Sequence, residues 1–164
     1  MVTLKFDPIL EAKRQWDARW DGGSPMAAAT SIMRAQQIIL ASVDEAVKEF
    51  GLTFARYEAL VLLSFTQNGS LPLGKMGERL MIHPASVTNI IDRLDAQGLV
   101  KRVPHPTDRR AILAEITEEG RRVVKEATDA VVEVSVGFTG LTDAETKTLI
   151  RLLAKFRKNA GDFI

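Results

Sequence analysis

The chain reads as mostly α-helical: a winged helix-turn-helix with a two-stranded wing, set between long N- and C-terminal helices suited to dimerisation. Three observations carry that reading. Two short helical patterns, at residues 73–80 and 84–97, are separated only by Met81-Ile82-His83, the spacing of a helix-turn-helix. A strand pattern follows at once, then a proline-bounded basic tip and a second strand. Helical periodicity covers roughly 70% of the chain, about twice the share in an average globular domain, which leaves room for one small hairpin and little more.

Taken in order, residues 7–20 suit a short helix carrying Ile9, Leu10, Trp16 and Trp20, broken by Asp21-Gly22-Gly23-Ser24-Pro25. Ser24 as N-cap, with Pro25 at the first helical position, predicts a long helix to residue 50 that Gly51 stops. Ile32, Met33, Ile39, Leu40, Val43 and Val47 are its apolar residues. Thr53 can cap a third helix through residue 67, whose run Tyr57-Glu58-Ala59-Leu60-Val61-Leu62-Leu63-Ser64-Phe65 is too apolar all round for a surface element. Asn68-Gly69-Ser70 predicts a turn before the two short helices. Gly98 ends the second of these, and residues 99–103 pair with 111–116 as the wing. Thr117 caps the next helix, with Glu118 and Glu119 placed favourably in its first turn. Val123, Val124, Ala127, Val131 and Val134 follow its buried side. Thr142 and Glu145 spell a capping box for the last helix, where Leu149, Leu152, Leu153 and Phe156 form an i, i+3, i+4, i+7 stripe. The expected organisation is an N-terminal extension at 1–24, a helical dimerisation region at 25–50 and 118–164, and a winged lobe at 51–117.

With 164 residues, 46% hydrophobic and 26% charged, the chain is long enough for one real core. Its net charge of +1 supplies no global field toward polyanions, so nucleic-acid binding has to rest on locally clustered charge. Zero cysteines exclude disulfide scaffolds, thiolate catalysis and cysteine-ligated zinc. No apolar run approaches the ~18 residues of a membrane span, and the N-terminus lacks a signal-peptide layout. A cytoplasmic location is expected.

Clustered charge is present. In the helix at 84–97, Val87, Ile90, Ile91 and Leu94 share one buried stripe. The other face keeps Ser86, Thr88, Asn89 and Arg93, small polar and cationic groups able to reach base edges and phosphates in a major groove. Asn89 suits adenine and Arg93 a phosphate by side-chain chemistry. Downstream, Lys101, Arg102, Arg109 and Arg110 stand against a single acid, Asp108. Pro104 and Pro106 cannot donate to a ladder, so they mark a thin tip, and an arginine on such a tip can enter a minor groove. The long flanking helices expose stripes in need of a partner, and a two-fold dimer would set two reading helices about one DNA turn apart, ~34 Å.

Several segments together resemble the multiple-antibiotic-resistance regulator (MarR) family of bacterial winged-helix transcription factors. They are Leu52-Thr53-Phe54-Ala55-Arg56-Tyr57-Glu58-Ala59-Leu60, the 84–93 helix, Gly98-Leu99-Val100-Lys101-Arg102, and Asp108-Arg109-Arg110-Ala111 running on to Ile116-Thr117-Glu118-Glu119-Gly120. The resemblance spans about residues 26–160. It implies a homodimeric repressor on a pseudo-palindromic operator, released when a small aromatic or phenolic ligand binds between the dimerisation helices and the DNA-binding lobe. It also implies that Asp108 orients Arg110 while the wing tip sits in the minor groove, and that Arg109 meets nearby phosphate or groove. The N-terminal segment resembles a urate-responsive subgroup, which assigns Trp16, Arg19 and Glu58 to effector binding. That subgroup carries aspartate at the position of Glu58 and arginine at that of Ile91, so the implied effector is an anionic aromatic in general. The plainer role of Trp16 and Trp20 is to staple the extra helix by buried area.

Other chemistries lack support. Gly69-Ser70-Leu71-Pro72-Leu73-Gly74-Lys75 has phosphate-loop spacing, but Met76 replaces the magnesium-holding hydroxyl and a helix pattern precedes it. His83 and His105 have no second ligand at metal spacing; His83 suits an irregular N-cap, and His105 belongs to the wing. No catalytic residues, metal or cofactor are expected. The rival reading is a winged-helix adaptor that binds protein instead of DNA.

Overall fold

The computed structural model describes residues 4–108 and 111–164. Among these, the order is α1 (Pro8–Asp17), α2 (Gly23–Val47) with a 3-10 turn (Lys48–Phe50), α3 (Phe54–Ser64), β1 (Ser70–Pro72), α4 (Leu73–Leu80), α5 (Pro84–Ala96), β2 (Val100–Pro104), β3 (Ile112–Ile116), α6 (Glu118–Glu133), a 3-10 turn (Ser135–Gly137) and α7 (Asp143–Asn159). No described helix is long and apolar enough to cross a membrane.

The Asp7 carboxylate accepts the Ile9 and Leu10 N–H groups, and Pro8 needs no donor at the first helical position, so α1 starts there. α2 begins one residue before the expected Ser24 cap. Gly22 turns the chain at φ +83°, and Gly23 lies so close to Asp17 that a Cβ would sit 2.1 Å from its Oδ1. Pro25 is then inside the first turn, where its missing N–H costs nothing. At the far end Gly51, at φ +67°, stops the helix. Thr53 occupies the N-cap of α3, but its side chain makes no capping bond; Asp44 of α2 accepts the Phe54 N–H at 2.6 Å in its place. α2 thereby caps its successor. α3 ends at residue 64 rather than 67, because the Ser64 and Thr66 hydroxyls fold back onto the Val61 and Leu63 carbonyls.

The sheet has three strands in the order β1-β3-β2, all antiparallel. The expected hairpin is β2–β3, in register from Val100 opposite Ile116 to Pro104 opposite Ile112. The unexpected member is β1, where Ser70 pairs with Glu115 and Pro72 with Leu113.

One core joins the lobe to its neighbours. Leu60 and Leu63 of α3, Met76 of α4, Ile91 and Leu94 of α5 and Val100 of β2 are fully buried, as are Val43 and Val47 at the end of α2. Val123, Val124, Ala127 and Val131 of α6 close it. The remainder of α2 is different: Ile32 and Met33 are exposed, and α7 has no buried residue at all.

Candidate nucleic-acid interface

The helix-turn-helix is α4, a turn and α5. Met81 makes the turn in the left-handed region, at φ +56°. Gly77 lets the helices close, since a Cβ there would already stand 3.3 Å from the Ile82 carbonyl and 3.4 Å from Val87. Nδ1 of His83 accepts the Ala85 N–H at 3.2 Å, the N-cap role its position suggested, and Pro84 follows at the first helical position. On α5, Val87, Ile91 and Leu94 are buried while Ser86, Thr88, Asn89 and Arg93 are exposed on the outer face. The Thr88 hydroxyl donates to the Pro84 carbonyl, leaving its lone pairs outward.

Ser86, Asn89 and Arg93 share a groove of about 620 Å³ with Thr53, Ala55 and Arg56 from the start of α3. Sequence reasoning passed over Arg56. Among the described residues its guanidinium makes only long bonds, 3.4 Å each, to Thr53 Oγ1 and Gln97 Oε1, and no carboxylate there neutralises it. A signal was available, because a cation in the first turn of a helix opposes the helix dipole and is tolerated where an anion is to be met.

In the wing, His105 organises the tip. Its Nδ1 accepts the Thr107 and Asp108 N–H groups at 3.3 and 3.1 Å, and its backbone N–H donates to the Ala111 carbonyl. Arg109 and Arg110 lie outside the described residues, as does any pairing of Asp108 with Arg110. Lys101 and Arg102 point to opposite sides. Lys101 sits across the ladder from Glu115, 2.7 Å away, and stays largely exposed. Arg102 turns inward to Asp92 of α5 at 2.5 Å.

The nominated effector residues occupy two elements. On and beyond α1, Trp16 and Trp20 stack edge to face at 5.1 Å, Trp16 Nε1 donates to the Asp21 carbonyl, and Arg19 donates to Gln15. These bonds are local, and α1 packs on α2. Glu58 is half-buried on α3, where desolvation pushes its carboxyl above the ordinary range. A second groove, about 490 Å³, lies between α3 and α6, lined by Tyr57, Phe65, Arg121, Lys125 and Thr128 among others. Tyr57 donates to the Thr128 hydroxyl at 3.2 Å, which donates to the Val124 carbonyl, so the polar wall is ordered. Phe65 is 80% exposed above it.

A model of the MarR family matches residues 52–112, from the approach to α3 to the start of β3. The structure of Sco5413, a MarR family transcriptional regulator from Streptomyces coelicolor, is 51% identical with a TM-score of 0.80, over 87% of this chain and 99% of that one. The HTH-type transcriptional regulator YhbI of Bacillus subtilis is 32% identical over 76% of this chain and 77% of its own. Bordetella bronchiseptica BpsR, whose DNA binding is regulated by 6-hydroxynicotinic acid, is 29% identical with a TM-score of 0.71, over 78% of this chain and 91% of that one. With its helix-turn-helix, wing and flanking helices so matched, the chain belongs to the MarR family of DNA-binding transcriptional regulators.

Proposed function

We propose that the protein acts as a homodimeric repressor of a pseudo-palindromic operator and that a small aromatic or phenolic acid releases it. The observation carrying the effector half of this reading is the groove between α3 and α6. One wall is the DNA-reading lobe, the other a helix of the dimerisation region, and it offers Arg121 and Lys125 to a carboxylate and Phe65 to a ring. A ligand that fits this groove at one setting of the lobe better than another shifts the separation of the two heads, which is the differential affinity allostery requires. The regulation of BpsR by a hydroxylated heteroaromatic acid supports that ligand class. Trp16 and Arg19, with Glu58, are the rival location.

The test uses a duplex recovered by the protein from a random-sequence pool. The expected site is an inverted repeat with half-site centres about 10 bp apart. Fluorescence anisotropy then follows its Kd with 6-hydroxynicotinate and 4-hydroxybenzoate. At least one acid should weaken binding about tenfold, a typical coupling, and Lys125→Ala should abolish the response while leaving basal affinity intact. Loss of the response in Arg19→Ala instead would move the site to α1. A Kd indifferent to both acids would remove the effector reading.

A further inference from the structure

The wing and the outer face of α5 are joined through one side chain. Arg102 lies on the same side of β2 as the buried Val100 and runs beneath α5. Its Nη2 meets Asp92 Oδ1 at 2.5 Å and donates to the Thr88 carbonyl at 3.4 Å, so it grips both ends of one turn of the reading helix. Its Nε is buried without a hydrogen-bond partner among the described residues, and the side chain is only 28% exposed. An unsatisfied buried donor is costly. An arginine free to seek phosphate would avoid that cost by swinging out to water.

Asp92 is the other half of the argument. It is 58% exposed, one turn from Asn89 and next to Arg93, so it sets a negative charge where a polyanion approaches. An acid there opposes binding by simple electrostatics. Its geometry supplies a compensating role.

We propose that Asp92 and Arg102 form a clamp fixing the angle between the reading helix and the wing, so that the two enter adjacent grooves as one body. They are positioning residues for sequence discrimination and not DNA contacts. The proposal rests on α5 and the wing being the DNA-facing surfaces.

The test measures Kd for the pool-selected duplex and for a scrambled duplex of equal length, across a salt series. Asp92→Ala makes the protein more positive, yet it should bind the selected duplex more weakly and the scrambled one no more weakly, cutting discrimination about tenfold. Arg102→Met, which keeps the buried stem, should lose discrimination similarly with the slope of log K against log salt unchanged. Arg102→Lys keeps the ion pair and should recover part of the loss. Parallel tightening on both duplexes in Asp92→Ala, or a slope flattened by about 0.9 in Arg102→Met, would overturn the clamp, the latter by showing a phosphate contact. Asn89→Ala separates the two failures: if it leaves discrimination intact, the reading helix itself is wrongly assigned, whereas its loss beside an unaffected Asp92→Ala condemns the clamp alone. Thermal melting of each variant checks that the lobe remains folded.

Discussion

Lys101 and Arg102 show what a charge count conceals. As neighbours on a strand they must face opposite sides, so the two cations cannot share a single contact point. That much was legible, but the destination of Arg102 was not, because it depends on how α5 crosses β2. The outer face of α5 was readable residue by residue, since its apolar stripe fixes which positions point outward. Arg56 went unread because its groove partners lie a helix away in sequence. Glu58 yields a prediction of its own. With its carboxyl raised by desolvation above the ordinary value of 4.5, the native state holds more protons than the unfolded chain in the interval above that value. Its contribution to stability therefore falls as pH rises through the interval, and at neutral pH the ionised group is a burden. Glu58→Gln should match the parent near pH 4 and melt about 1–3 °C higher at pH 7. Equal melting temperatures at both pH values would show that the carboxyl is well solvated.

The joint between α5 and α6 decides how firmly these two helices move together, and so, in the proposed function, how the reading helix follows the dimerisation region. Thr117 caps α6 by accepting the Gly120 N–H at 3.0 Å, and its hydroxyl donates to the Gly98 carbonyl at 2.8 Å. Its N–H donates to the Leu99 carbonyl. A Cβ at Gly120 would lie 2.1 Å from that same Leu99 oxygen. The first turn of α6 is thus seated directly on backbone at the end of α5, with no side chain between to absorb a shift. Gly120→Ala should cost about 3 kcal/mol, the upper range for forced overpacking, and Thr117→Ala about 1–2 kcal/mol for a lost cap, both read as shifts in the urea midpoint at constant m. A Gly120→Ala midpoint equal to the parent's would mean that the helix can slide and that this joint transmits nothing. The Thr117 cap and the capping box of α7 were legible because their partners are three residues away. β1 was not: three residues ending in proline look like a turn, and they become a strand only because β3 offers a free edge whose ladder tolerates a missing donor at Pro72.

The apolar faces left over bear on the proposed dimer. Ile150 is 62% exposed, Phe156 67%, and Leu152 lies with them on α7, while Ile32 and Met33 of α2 are similarly bare. Exposed apolar surface of that kind, on α7 and on the part of α2 that stays out of the core, is what the proposed dimer would cover. Both lie in the region expected from the sequence to dimerise; the stripe itself is visible from its spacing before any fold is known, but what covers it is not. Since no α7 residue belongs to the core, replacing Leu152 and Phe156 together with aspartate should leave the winged lobe folded and yield a monomer by light scattering. Each head would then bind its half-site alone. Losing the linkage should raise the apparent Kd for the full operator by a factor of about 10² or more, as expected when a second binding event ceases to be intramolecular. The salt slope should fall to about half, since half the phosphate contacts go. A double variant that remains dimeric would place the interface elsewhere, and a monomer with undiminished affinity would show that one head suffices for recognition.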